Sequence, residues 1–296
     1  MDLLSRCSFP PSGTQVACAV SGGADSLALL VLAVRAQCEV TAIHVDHGLR
    51  PGSAAEALVV AEVAAGLGAR FRSERVKVSA GANLEARARE ARYGVLPAGV
   101  LTGHTADDRA ETMILNLLRG AGPAGMAGIR RGPQRPLLDL RRSDTEALCV
   151  ELGLNPVQDP SNQDPAFRRN RVRHEVLPLL ADVADRDPVP ILVRQADLFA
   201  SLDDATGALA AQLDPTSSSE LSGAAPVVAG AAVQAWLLAA GVGDGYPADQ
   251  AAVGRVLAVA RHESVATEVL GGWRVSRSAG RLSLTAPGSC KDAPHG

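Results

Sequence analysis

Aromatic residues make up only 3% of this 296-residue chain, so a nucleic-acid grip built mainly on bases stacked against planar side chains is excluded. Lysine is almost missing as well: Lys77 and Lys291 are the only two, and arginine carries nearly all the positive charge. The five cysteines (Cys7, Cys18, Cys38, Cys149 and Cys290) are odd in number, scattered, and never form Cys-x-x-Cys. That excludes a disulfide framework and a zinc ribbon, and fits free thiols in a cytoplasmic protein. No apolar run approaches the roughly 20 residues of a membrane span, and no basic stretch after Met1-Asp2 leads into an unbroken apolar segment. A soluble, cytoplasmic chain is expected. Two familiar phosphate motifs are missing too: there is no Gly-x-x-x-x-Gly-Lys-Ser/Thr, and the first strand-to-helix turn lacks Gly-x-Gly-x-x-Gly.

What is present is a hydrophobic content of 47%, enough for a substantial core and against global disorder. Net charge is −3, yet between Arg119 and His174 ten arginines face six acids, a local excess suited to phosphates. The first 120 residues alternate strand and helix patterns: "TQVACAV", "DSLALLVLAVRA", "EVTAIHVD", "SAAEALVVAEVAAGLG", "RFRSERVKV", "NLEARAREARYGVL", "GVLTG" and "TADDRAETMILNLLRG". Such alternation predicts an α/β fold with a doubly wound, mainly parallel sheet. The glycines and prolines of Arg119 to Gln134 predict a loop without regular structure. A helix restarts at "SDTEALCVELG", with Ser143 and Glu146 in capping-box spacing. Helical patterns continue through "RRNRVRHEVLPLL" and "PVPILVRQADLFASLDDATGALAAQL". The polar stretch Asp214 to Pro226 reads as a linker, and two helices and three short strands then form a small α+β module. The expected organisation is a nucleotide domain over 1–185, a helical extension and linker over 186–226, and a C-terminal α+β domain over 227–296.

In an open α/β sheet, ligands bind at the carboxyl ends of the strands, and "SGGADS" stands where the first strand passes into the first helix. Backbone N–H groups of Ser21, Gly22, Gly23 and Ala24, with the start of the helix, would converge on an anion, for which phosphate is the natural occupant. Asp25 and Ser26 complete the loop. An aspartate there repels a naked phosphate unless a divalent cation lies between them, which predicts Mg²⁺ with a nucleotide; the plain alternative is a helix-capping aspartate.

A second group lies in "GHTADDRAET", where Thr105 is a helix N-cap with Asp108 three residues on. Asp107, Asp108 and Glu111 then project from one side of the first two turns, with His104 just ahead. The acids would serve either as partners of the helix dipole, or as a site that holds a metal or binds a cationic amine and takes its proton. A third group, His44, Asp46, His47 and Arg50, follows the second strand and reads as ligand contacts. Arg87, Arg89 and Arg92 align on a helix, to reach phosphates or to form a solvated face.

These residues resemble a known family. "SGGADS" is the signature of the N-type ATP pyrophosphatases, which cleave ATP between its α and β phosphates. With "HVDHGLRPGS", "EARAREARYGVL", "LTGHTADDRAETMILNLLRGAG" and "DPSNQDPAFRRNRVRHEVLPLL", the chain is similar to the tRNA(Ile)-lysidine synthetases from about Gln15 to Leu180. The C-terminal third is similar only in layout, that of a short form without the extra terminal domain of longer members. The resemblance implies a PP-loop ATPase fold, ATP with Mg²⁺, and two substrates besides: an isoleucine tRNA with a CAU anticodon, and free lysine. It implies that ATP adenylates O2 of the wobble cytosine and that the lysine ε-amine then displaces AMP to give lysidine. On that basis Ser21 to Ser26, His44 and His47 would border ATP, Asp25 and Asp108 would hold metal, and Asp25, His104, Asp108 and Glu111 would form the catalytic group. Arg87, Arg92, Arg168, Arg169, Arg171 and Arg173 would meet tRNA phosphates or pyrophosphate.

Two alternatives stand beside this reading. One is another tRNA-modifying enzyme on the same ATP loop, such as a tRNA thiolase; the other is a non-catalytic nucleotide-binding module. The sequence leaves the oligomeric state open, a homodimer included.

Overall fold

The computed structural model describes residues 2–46, 53–76, 91, 94–243 and 247–288, with 53–55 and 160 described by backbone alone. His47, Arg50, Arg87, Arg89 and Arg92 lie outside the described residues. The chain divides into two compact units, Met1–Phe199 and Ala200–Gly296.

The first unit is built on β1 (Gln15–Ala19), β2 (Glu39–Asp46) and β3 (Arg70–Arg75), paired in parallel in the order β1-β2-β3. On the far edge of β1, Cys18 bridges in parallel to Leu101, with Ala19 N–H donating to the Leu101 carbonyl at 2.9 Å. The parallel strands and their helical crossovers agree with the α/β pattern expected from sequence, "GVLTG" contributing a bridge where a strand was expected. Helix α1 (Ala24–Arg35) is apolar nearly all round and is buried continuously from Ser26 to Ala33. It passes between the sheet and the helix over Arg142–Glu151, so it has no solvent face to make polar. Complete burial of Leu27, Leu29, Leu30 and Leu32 contributes about 1.5–3 kcal/mol each. Helix α2 (Ser53–Gly66) adds Val60 and Ala64 to the same core.

The same unit holds α3 (Ala106–Leu117), the short α4 (Pro123–Met126), α5 (Arg142–Glu151) and α6 (Arg168–Arg171). Helix α4 gives the Arg119–Gln134 segment one turn of regular structure, with Pro123 at its first position, where a missing N–H costs nothing. After α6 a π-turn over Val172–Val176 leads into α7 (Leu177–Ala184), and α8 (Val189–Ala210) follows. Helix α5 begins two residues earlier than the Ser143–Glu146 spacing predicts. Arg141 is its N-cap, and the Arg141 N–H donates to the Asp144 carboxylate at 2.8 Å.

The second unit contains α9 (Ser218–Gly223), α10 (Pro226–Ala239), α11 (Gln250–Ala260) and an antiparallel sheet of β4 (Ala266–Val269), β5 (Trp273–Ser278) and β6 (Arg281–Thr285). The stretch Asp214 to Pro226, expected to be a linker, is folded. Leu221 is fully buried, Ser218 N–H donates to the Gly280 carbonyl, and Leu282 N–H donates to the Thr216 carbonyl. Its serines cap and tether rather than solvate. The two-residue loop Ala279-Gly280 joins β5 to β6 with φ of 47° and 75°, as a tight hairpin between right-twisted strands requires.

Candidate active site

The carboxyl ends of β1 and β2 and the segment after Leu101 open on one edge of the sheet, which is where the sequence-predicted groups gather. The glycine loop turns at Gly22, whose φ is 92°, and a Cβ there would stand 3.0 Å from Val157 Cγ2. Only glycine accepts both conditions. Ser21 N–H and Gly22 N–H each donate to Ser26 Oγ at 3.1 Å, so the loop already holds an oxygen in a nest of backbone donors. Val157 N–H donates to the Gly22 carbonyl at 3.0 Å, tying the loop after α5 to the nest.

Gly103 brings the second group close. A Cβ at this position would lie 2.6 Å from the Asp25 carbonyl oxygen, so the chain ahead of α3 lies directly against the start of α1. Thr105 caps α3, and the Asp108 carboxylate returns to accept from Thr105 N–H at 2.8 Å, the expected half of a capping box. His104 Nδ1 lies 2.9 Å from Thr102 Oγ1.

Asp25 and Asp108 share one guanidinium. Arg142 places Nε 3.6 Å from Asp25 Oδ2, Nη2 3.3 Å from Asp108 Oδ1, and Nη1 3.0 Å from Glu111 Oε1. Thr145 Oγ1 donates to Asp25 Oδ1 from one turn further along α5. Burial pushes the Asp25 carboxyl up to about 6, and Asp108 adds to the shift; Thr145, Arg142 and Arg173 pull against it without cancelling it. Burial works against the charge of Arg142 as well, but Glu111, Asp108, Asp25 and Asp107 outweigh it and hold the guanidinium more firmly protonated.

Glu111 has no exposed surface and is enclosed by arginines. Arg173 donates to it from Nε at 2.7 Å and from Nη2 at 3.2 Å, Arg142 donates at 3.0 Å, and Arg169 Nε stands 3.3 Å away. The arginines of the "RRNRVR" run therefore separate. Arg169 and Arg173 turn to Glu111 across the π-turn, an irregularity common at functional positions. Arg168 is exposed, and Arg171 pairs with Glu175 on the surface. Asn170, buried between them, donates to the carbonyls of Ser161 and Asp164 and so fixes the "DPSNQDP" loop.

The three acids of α3 also separate. Asp107 accepts from Arg141 at 2.9 and 3.0 Å and from Arg142 N–H at 2.8 Å, acting as a remote cap on α5. Burial would raise its carboxyl, but the Arg141 and Arg142 bonds prevail and hold it below the usual range. His44 is buried, with Nδ1 3.0 Å from the Val20 carbonyl at the exit of β1, and its Nε2 has no hydrogen-bond partner. Asp46 stands at the end of β2, 3.6 Å from Arg75. A cleft of about 610 Å³ is lined by Phe9, Pro10, Val16, Leu101 and Leu138 and by none of the residues of the nest.

Sequence reasoning missed Arg141, Arg142 and Thr145. The available signal was the arginine excess between Arg119 and His174, of which the Arg141-Arg142 pair directly precedes the pattern "SDTEALCVELG" that was expected to be helical.

The model of the PP-loop domain family matches residues 4–180. The chain is 44% identical over 249 residues to the tRNA(Ile)-lysidine synthase of Nocardia farcinica, covering 79% of this chain and 78% of that protein. It is 41% identical over 312 residues to the tRNA(Ile)-lysidine synthase of Salinispora tropica, covering 94% of this chain and 92% of the relative. Among solved structures it is similar to the U34-tRNA thiolase NcsA from Methanococcus maripaludis with its [4Fe-4S] cluster. The TM-score is 0.53 and the identity 17%, over 67% of this chain and 77% of the thiolase, a likeness of fold alone. Since the likeness to the Salinispora protein runs through nearly both whole chains and not only through the glycine loop, the chain belongs to the tRNA(Ile)-lysidine synthase family of PP-loop proteins.

Proposed function

We propose that this protein is an ATP-dependent carbon–nitrogen ligase that joins lysine to the wobble cytidine of a CAU-anticodon isoleucine tRNA, releasing AMP and pyrophosphate. The observation that carries the reading is the convergence of Asp25 and Asp108, from two helices, on one point beside an oxygen-binding nest. A pure nucleotide binder has no need of carboxylates against phosphate.

The chemistry has two steps. Cytosine O2 attacks the α-phosphorus of ATP, the bond from the α-phosphorus to the bridging oxygen breaks, and pyrophosphate leaves. The lysine ε-amine then attacks C2, the C2–O2 bond breaks, and AMP departs with the former cytosine oxygen. Adenylation is needed because that oxygen is otherwise a very poor leaving group.

The nest of Ser21, Gly22, Gly23, Ala24, Asp25 and Ser26 receives the phosphates, with Ser26 Oγ yielding its place to a phosphate oxygen. Asp25 and Asp108 are the residues that would hold Mg²⁺. They are hard oxygen donors, and a buried carboxyl raised to about 6 is one whose negative charge lacks full compensation. The ion would supply neutralisation of charge on the departing pyrophosphate. We assign His104, just ahead of α3, to the lysine amine, whose proton it would take. Glu111 holds Arg169 and Arg173 in an array whose outer edges receive pyrophosphate or tRNA phosphate, while Arg168 and Arg171 meet the tRNA backbone. We assign His44 and His47 to the nucleotide border, Arg87 and Arg92 to phosphate contact, and the C-terminal unit to tRNA. Its substrates place the reaction in the cytoplasm.

A thiolase reading is disfavoured by the thiols. Burial pushes Cys7 and Cys149 up to about 11 and Cys18 up to about 12, and none belongs to a Cys-x-x-Cys pair. The test is pyrophosphate release from ATP with an isoleucine tRNA transcript, with and without lysine. The expected result is release that depends on the tRNA; release without any lysine incorporation would favour a different adenylating enzyme, and none under any condition would favour the binding module.

A further inference from the structure

Arg142 has no part in the assignments above, yet it occupies their centre. Its three guanidinium nitrogens each face a different acid: Nε faces Asp25, Nη2 faces Asp108 and Nη1 faces Glu111. A cation thus already stands between the two carboxylates that would ligate magnesium, and it is a protein cation. We infer that Arg142 is a resident placeholder for the divalent ion, and that it makes ion entry conditional on nucleotide. The inference rests on the Mg²⁺–ATP reading and adds to it a residue and an order of events.

Three features of the chain support an exchange. First, none of the acids depends on Arg142 alone. Asp25 keeps the Thr145 hydroxyl, Asp108 keeps Thr105 N–H at 2.8 Å, and Glu111 keeps Arg173 at 2.7 Å. Each acid keeps a hydrogen-bond donor when the guanidinium leaves, and the incoming divalent ion replaces the positive charge that Asp25 and Asp108 lose, so neither is left as an unpaired buried charge. Second, the contacts differ in closeness. The Glu111 contact, at 3.0 Å, is shorter than those to Asp108 and Asp25, at 3.3 and 3.6 Å, so the side chain has a firm anchor from which its other two edges can detach. Third, among the described residues no group of three or more His, Cys, Asp or Glu side chains is arranged to hold a metal. Two carboxylates need phosphate oxygens to complete a coordination shell, and a guanidinium between them repels a bare divalent ion. A triphosphate changes both conditions at once: it supplies ligands, and it offers Arg142 an anion of its own, which a guanidinium grips through paired N–H donors.

The position on the helix suits this exchange. Arg142 is the first residue of α5, and its N–H is held by Asp107 at 2.8 Å, so the backbone stays fixed while the side chain swings.

The test uses the full chain with Mn²⁺ as the probe, free ion being read by electron paramagnetic resonance. Wild type is expected to bind Mn²⁺ weakly without nucleotide and tightly with α,β-methylene-ATP. R142Q is expected to bind Mn²⁺ without nucleotide at least tenfold more tightly than wild type, and R142K, which keeps a cation there, to behave as wild type does. R142Q combined with D25N should lose the gain. If R142Q binds no better than wild type, or R142K gains as much as R142Q, the placeholder role is overturned while the metal reading survives. If wild type fails to retain Mn²⁺ even with the analogue, the metal reading itself falls and the inference with it. A second measurement needs no variant: the Arg142 Nε–H resonance should hold its position when Mg²⁺ alone is added and move when Mg²⁺ and the analogue are added together. Movement with Mg²⁺ alone overturns the proposal.

Discussion

The two units of this chain solve the burial problem in opposite ways. In Ala200–Gly296 the interior is apolar, led by Leu221, Val233, Leu237, Val256 and Val275, and Ser218 is the one buried polar residue among those described. Met1–Phe199 buries Asp107, Arg109, Glu111, His44, Thr105, Thr145 and Asn170 alongside its aliphatic core. The first strategy yields stability at low risk. The second accepts desolvated charge, which contributes little to stability when paired and costs much when a partner is lost. The charges concentrate where two helix starts meet at the sheet edge, the place to which the proposed chemistry is assigned.

Substitutions that hit each strategy separately sharpen the contrast, and the largest effect is expected at Glu111. Replacing it with alanine leaves Arg142, Arg169 and Arg173 clustered without their common counter-charge. Urea unfolding should show a loss of about 3–5 kcal/mol, and lysine transfer should disappear. Leu237→Ala in the second unit should cost about 3 kcal/mol by opening a cavity, yet leave the affinity for an ATP analogue within about twofold of wild type, as read by calorimetry.

Asp25→Asn should do the reverse of both, stabilising the ligand-free protein while abolishing pyrophosphate release. The folded-state pKa, about 6, stands above the ordinary 3.8, so ionisation disfavours the fold. The stabilising contribution of the protonated group is complete below about pH 4 and is lost as pH rises through about 6. The variant should therefore exceed wild type by about 2 kcal/mol at pH 8, a gain that vanishes below about pH 4, as followed by thermal melts across pH. The smallest effect belongs to the β5–β6 hairpin. Ala279 holds a left-handed φ of 47°, so Ala279→Gly should raise stability by up to about 1 kcal/mol with no change in activity.

The same contrast decides what could be read in advance. The second unit's strands were marked by Gly271-Gly272 and Ala279-Gly280, because turns that need positive φ leave glycine in the sequence. The glycine nest, the Thr105 cap and its Asp108 partner were legible for a similar reason: each is a local geometry with a local residue requirement. The partners of the acids were not legible. Arg142 and Asp25 are far apart in sequence and meet only because α5 packs on α1, and no spacing rule announces that meeting. Nor could spacing tell Asp107, which caps α5, from Asp108, which faces Arg142, since adjacent residues on a helix separate only when their surroundings are known. The serine-rich stretch before Pro226 misled through composition: side chains that suit a solvated linker are the same ones that cap a short helix.

The account turns on Asp25 and Asp108 acting on a single ATP-bound substrate complex. The most direct measurement is incorporation of labelled lysine into a CAU-anticodon isoleucine tRNA, with the methionine tRNA of identical anticodon as control, for wild type, Asp25→Ala and Asp108→Asn. The expected result is incorporation into the isoleucine tRNA alone by wild type and none by either variant. Undiminished incorporation by either variant, or its absence in wild type despite pyrophosphate release, would contradict the account.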